Sequence, residues 1–193
     1  KPLPFKGWKK DYSMINKDNP KGNMTPVSSA AGITKAMMHV NDKMPHIKNL
    51  VIDDWQYMSS FEYFDRADEK GYDKFTSIAK NLAQDAKLPK DMREDLYIFF
   101  LTHSEESTDV NGNRKVKAKT VGKMIDNALT LEGLFSIVLF GKVVKGEDDK
   151  LSYVFETVNN GENTCKSPDK MFDNARIENS LQVVKDAIIE YEN

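Results

Sequence analysis

Apolar positions after residue 28 recur at helical spacing. Ile33, Met37, Val40 and Met44 fall on one face, Ser28 or Ser29 stands at the capping position, and Pro45 stops the run. A helix to about Lys43 is expected. The pattern then changes: Ile47–Ile52 is a short continuous apolar run, the signature of a buried strand. Met58–Glu69 and Tyr72–Lys87 return to helical spacing and are separated at Gly71, with Phe61 and Phe64, then Phe75, Ile78, Ala79 and Leu82, as their apolar faces. Leu88-Pro89 ends the second of them. Leu96–Thr102 (LYIFFLT) is a second continuous apolar strand.

Residues 13–27, rich in Asn, Pro, Gly and Ser, read as loop, and residues 103–120 are polar with a turn at Asn111-Gly112. Val121–Leu131 is expected to be a short helix. Leu134–Val144 and Leu151–Asn159 flank Gly146-Glu147-Asp148-Asp149, a hairpin signal. A last amphipathic helix runs over about Ile177–Tyr191, carrying Leu181, Val184 and Ile188. The order helix–strand–helix–strand, then hairpin, predicts an α/β fold. Its sheet is mainly parallel and flanked by helices, with a C-terminal antiparallel hairpin, and residues 1–193 form a single domain. Ligands in such sheets bind at the C-terminal strand edges. Asp53-Asp54 and Thr102-His103 both fall there.

Composition narrows the field. Apolar residues make 39% of the 193 and charged residues 30%, ordinary for a soluble protein. The net charge is −2, so any polyanion site has to be a local patch. One cysteine, Cys165, excludes a disulfide framework or cysteine zinc site and fits a reducing cytoplasm. No apolar run approaches the roughly 18 residues of a membrane helix, and no signal peptide is visible. The chain starts at Lys1 rather than Met, and residues 1–12 read as an edge strand and loop from the middle of a fold. The expectation is that an N-terminal segment precedes it.

Asn49-Leu50-Val51-Ile52-Asp53-Asp54 carries the chemistry. A buried strand ending in two carboxylates can hold Mg²⁺ through water on Asp53 and polarise an attacking water with Asp54. The plainer alternative is a solvated strand end. On the neighbouring strand, Thr102 or His103 suits a polar sensor of a γ-phosphate, and a loop start capped by Ser104 is the alternative. Arg114, Lys115, Lys117 and Lys119 are four cations in six residues, expected in a mobile loop that tracks a phosphate backbone or forms a solvated face. Lys166 can reach a phosphate in a neighbouring subunit or be a surface lysine. His39, His46 and His103 lack metal-ligand spacing. No G-x-x-x-x-G-K-[ST] occurs in the 193 residues, and Gly122-Lys123 is followed by Met124.

With these residues in hand, the chain resembles the bacteriophage ATP-binding proteins of the RecA-like P-loop class, grouped with single-strand annealing proteins of the Sak type. The resemblance rests on NLVIDDWQYM (49–58), EKGYDKFTSIAKN (69–81), FFLTHSEE (99–106), KTVGKMIDNALTLEGLFSIVL (119–139) and FETVNNGENTCKSP (155–168). KPLPFKGW (1–8) is similar to a segment that follows the Walker A helix in that family. It implies a RecA-like core that binds ATP and Mg²⁺ and acts on single-stranded DNA in phage recombination or replication, in an infected bacterial cytoplasm and as a homo-oligomer. Asp53 and Asp54 then match the Walker B acids, and His103 to Glu105 match the motif on the adjacent strand. Thr102 and Lys166 become nucleotide contacts. The first strand and Walker A loop of the family are not in the sequence. The competing reading is a non-catalytic phage interaction protein that keeps the fold without the nucleotide site.

Overall fold

The structure, a computed structural model, describes residues 10, 12–122, 125, 127, 129–146 and 148–193. Helix α1 (Ala30–Lys43) starts at Ser29, whose hydroxyl oxygen accepts the Gly32 N–H at 3.2 Å, one of the orphan donors of a helix start. Ile33, Met37 and Val40 are its buried face. Its C-terminal carbonyls are satisfied from a distance in sequence. The Arg93 guanidinium donates to the carbonyls of Val40 at 2.8 Å and Asn41 at 3.0 Å, and also to that of Ile47. A cation at a helix C-terminus also suits the helix dipole.

Strand β1 (Asn49–Ile52) pairs in parallel with β2 (Tyr97–Phe100), Asn49 opposite Tyr97 and Ile52 opposite Phe100. Between them lie α2 (Gln56–Asp65), α3 (Asp73–Lys87) and a 3₁₀ turn over Leu88–Asp91. Leu50, Ile52, Ile98 and Phe100 share one face of the pair. They pack on a core of Ile33, Met37, Trp55, Met58, Ile78 and Leu82. On the opposite face Val51 is 46% exposed, so the full two-sided cover expected for a parallel sheet is not reached there.

The fold is mixed α/β, but the mainly parallel sheet is not what forms. Among the described residues the strands make three small sheets, β1-β2, β3-β4 and β5-β6-β7, and only the first is parallel. The reason is local: after β2 the chain folds back on itself in successive hairpins. Residues expected as a mobile loop are β3 (Ser104–Thr108) and β4 (Arg114–Ala118), an antiparallel pair. Its turn is built by Asp109, whose carboxylate accepts the N–H groups of Asn111 and Asn113, both at 2.9 Å, while Gly112 supplies a φ of +82°.

The expected C-terminal hairpin is β5 (Phe140–Lys145) and β6 (Leu151–Glu156), extended by β7 (Arg176–Glu178). Arg176–Glu178 takes the place of the first turn expected for the last helix. Helix α4 (Leu181–Glu192) begins after Ser180, whose side chain faces the Val183 N–H. The buried Glu156 carboxylate receives Lys142 at 3.2 Å, Arg176 at 3.1 Å and Asn163 at 2.8 Å. Burial opposes its charge, but these donors outweigh burial and hold it below the usual range. Most of the helix expected over Val121–Leu131, and nearly all of residues 1–12, lie outside the described residues. Among the described residues no helix is long and apolar enough to cross a membrane.

One buried group in this core titrates in an accessible range. Asp85, on α3, is fully buried and accepts the Thr34 hydroxyl at 2.8 Å, while its second oxygen makes no hydrogen bond of full geometry. Burial raises its carboxyl from 3.8 to about 6, against the opposing effects of Thr34 and the nearby Trp55 indole. A raised folded-state value gives stability that is present below the ordinary carboxylate value and lost as pH rises through about 6. Complete ionisation removes about 3 kcal/mol on this basis. Asp85→Asn keeps an acceptor for Thr34 without the charge. Urea unfolding is expected to show the variant more stable than the parent by about 1–3 kcal/mol at pH 8 and close to it at pH 4.5. Parallel pH profiles for the two proteins would refute the assignment.

Candidate functional site

The register of β1 on β2 brings their C-terminal ends together. The Leu101 N–H donates to the Ile52 carbonyl and the Trp55 N–H to the Leu101 carbonyl, each at 2.9 Å. Between those bonds the chain turns sharply at Asp53 and Asp54. Asp54 has a φ of +55°, in the left-handed region that Asp tolerates better than most residues. Trp55 then drops into the core and Gln56 opens α2.

This turn meets the end of β2. Asp54 Oδ1 lies 3.2 Å from His103 Nε2, with both side chains more than half exposed. The His103 ring stands edge-on to Tyr57 at 5.9 Å. The backbone of His103 is held on both sides: its N–H donates to Gln56 Oε1 at 3.2 Å, and its carbonyl accepts the Lys119 N–H at 2.9 Å. Gln56 is itself buried, so this tether is part of the folded core. The Thr102 hydroxyl points back at the His103 carbonyl at 3.3 Å. Asp53 is exposed and has no ion pair among the described residues.

Two adjacent carboxylates at a strand end are the donor set of a largely hydrated Mg²⁺, which takes one or two carboxylates and fills its octahedron with water and phosphate oxygens. A protein cage of three or more His, Cys, Asp or Glu is absent among the described residues. Asp53 and Asp54 are the residues at this edge that could supply such carboxylates.

Other expected site residues are elsewhere. Glu105 is on β3 and pairs with Lys117 at 3.0 Å. Arg114 pairs with Glu106 at 2.5 Å and Glu162 at 3.6 Å, and Lys115 donates to the Gly161 carbonyl at 2.5 Å. The Arg114 guanidinium holds the Glu106 carboxyl below its usual range. Lys119 is exposed at the end of the hairpin. Lys166 is exposed and forms an isolated backbone bridge with Val138 in the C-terminal part. Cys165 is buried and its thiol is pushed up by burial to about 11, which suits packing and not nucleophilic chemistry.

Sequence reasoning missed Gln56 and Tyr57, which hold and flank His103. A signal existed: both follow the acid pair at the start of a helix, so they share its sheet edge. The strained turn gives a direct test. Asp54→Ala keeps the left-handed strain and loses the contact with His103, whereas Asp54→Gly relieves the strain. Thermal unfolding is expected to rank Gly above Ala by about 1 kcal/mol. Ala equal to or above Gly would mean that Asp54 leaves this backbone conformation.

No protein-family model, no curated protein and no solved structure matches this chain.

Proposed function

We propose that the chain carries the acid edge of a RecA-like bacteriophage ATPase that handles single-stranded DNA in recombination or replication. The observation that carries this reading is the in-register parallel pairing of β1 and β2, with Asp54 and His103 3.2 Å apart across the edge. Asp53 is the residue for Mg²⁺, held through water. When bound, the ion neutralises charge on the phosphates. Asp54 accepts a hydrogen bond from the attacking water and orients it. His103, fixed by Gln56 and Lys119 through its backbone, holds the Asp54 carboxylate in place and presents a donor towards the terminal phosphate. Thr102 adds a hydroxyl at the same edge. Lys166 acts across a homo-oligomer interface, on a neighbouring subunit's nucleotide. Glu105, committed to Lys117, has a supporting role at most.

A non-catalytic interaction protein is the second reading. The salt-bridged hairpin favours it, since Arg114 and Lys117 already have carboxylate partners.

Two measurements test the proposal. The 193 residues contain no phosphate-binding loop, so isothermal titration of ATP with Mg²⁺ is expected to give millimolar or weaker binding, a few kcal/mol at most. In a version supplied with such a loop, Asp53→Asn is expected to remove most ATP turnover and leave the circular dichroism spectrum unchanged. Micromolar binding in the first case, or turnover at the parent rate with unchanged Mg²⁺ dependence in the second, contradicts the reading.

A third measurement concerns the hairpin. Replacing Arg114, Lys115, Lys117 and Lys119 together with Ala is expected to weaken single-stranded DNA binding and reduce the slope of log K against log salt by about 1.4. That corresponds to two phosphate contacts, because Arg114 and Lys117 are neutralised by carboxylates. Superimposable salt series for parent and variant would show that the hairpin contacts no phosphate.

A further inference from the structure

Helix α2 has two unlike faces. Gln56, Met58 and Ser59 are buried against the core. Tyr57, Phe61 and Phe64 recur at i, i+4 and i+7, and they are 45%, 44% and 70% exposed. The rings of Tyr57 and Phe61 are 6.0 Å apart, and Tyr57 continues the surface to His103. At the other end Phe64 meets Tyr63 at 5.6 Å. Helix propensity does not call for three outward aromatics, and the core is complete without them. A contiguous exposed aromatic stripe on a folded domain marks a surface that another molecule covers.

Charge identifies the chemistry of that molecule. Between residues 53 and 70 stand Asp53, Asp54, Glu62, Asp65, Asp68 and Glu69 against only Arg66 and Lys70. Arg66 is consumed by Glu62 at 2.9 Å and Glu69 at 2.7 Å. Asp53, Asp65 and Asp68 are then the exposed carboxylates beside the stripe in sequence that have no ion pair among the described residues. Such carboxylates repel a phosphate backbone and attract cations, and aromatic faces add attraction for lysine and arginine.

We propose that the outer face of α2 docks an amphipathic basic segment of a partner protein, its apolar side chains on Tyr57, Phe61 and Phe64 and its lysines or arginines on these carboxylates. The mode is a helix laid along an aromatic stripe, anchored every third or fourth residue. It is independent of ATP and can be tested without it.

The probe is a fluorescein-labelled helical peptide of about 14 residues made of leucine and lysine in an amphipathic pattern. Its counterpart has glutamate for every lysine. Anisotropy is read with the whole chain at about 0.05 M and about 0.5 M salt. The parent is expected to bind the lysine peptide and not the glutamate peptide. F61S/F64S is expected to weaken binding about tenfold or more, as for loss of anchor residues. D65N/D68N is expected to weaken it at low salt and much less at high salt. Circular dichroism checks folding, and if the double variant is misfolded, Phe64→Ser alone is read, since that ring is mostly exposed. The proposal is overturned if the serine variants bind the lysine peptide as the parent does, or if the glutamate peptide binds equally well. Binding of single-stranded dT oligonucleotide that the serine substitutions abolish also overturns it. So does a concentration-dependent dimer in sedimentation that they abolish, which would make a second copy the occupant.

Discussion

The acid edge hangs on one buried indole. Trp55 follows Asp54 directly, is 2% exposed, and stands edge-on to Phe100 at 5.0 Å and to Phe135 at 5.8 Å. Aromatic pairs of this geometry contribute about 0.5–1.5 kcal/mol each beyond the area they bury. The Trp55 backbone N–H is bound to the Leu101 carbonyl, so ring and main chain are fixed together. The direction in which the chain leaves β1 is thus set by the core. Asp53 and Asp54 are carried to the edge of β2 by a neighbour that takes no part in chemistry. The indole N–H lies against the Asp85 carboxylate without full hydrogen-bond geometry, which leaves two buried polar atoms under-satisfied at the base of the edge.

Charged side chains link the elements of the second half of the chain. The β3-β4 hairpin has cross-strand pairs of Glu105 with Lys117 and Glu106 with Arg114, and Glu162 reaches Arg114 from beyond β6. The Val116 N–H donates to the Glu162 carbonyl at 2.7 Å, which ties the hairpin to the C-terminal part. Glu132 joins both: it accepts the Ala118 N–H at 2.7 Å and the Thr164 hydroxyl at 3.1 Å. Exposed pairs of this kind contribute little each, but they leave few free cations on the hairpin.

Much of the first half was legible. The Ser29 cap, the face of Ile33, Met37 and Val40, and both parallel strands follow from periodicity, which reads burial directly. The β5-β6 hairpin followed from its turn residues. The β3-β4 hairpin did not, because Ser104–Thr108 alternates no apolar residues. Its signal was two acids followed by two bases at hairpin spacing, which is charge complementarity and not hydrophobicity. Of the site, the acid pair and His103 were legible as strand ends. Gln56 as a tether was not, because it requires knowing that α2 starts against the turn after β2. The approach of Asp85 to Trp55 links positions too far apart for any periodic pattern to reveal.

The β1-β2 pair joins segments whose partners, Asn49 and Tyr97, are 48 positions apart, whereas β3-β4 and β5-β6 close within a few residues of their turns. Loop-closure entropy grows with the logarithm of the intervening length and must be met before the pairing returns any energy. The two hairpins can form from local contacts alone. The parallel pair, with α2 and α3 enclosed between its strands, cannot. The acid edge is therefore built on the strand pairing with the greatest sequence separation among the described strands. Its closure brings together the two ends of a segment that holds both helices and Trp55.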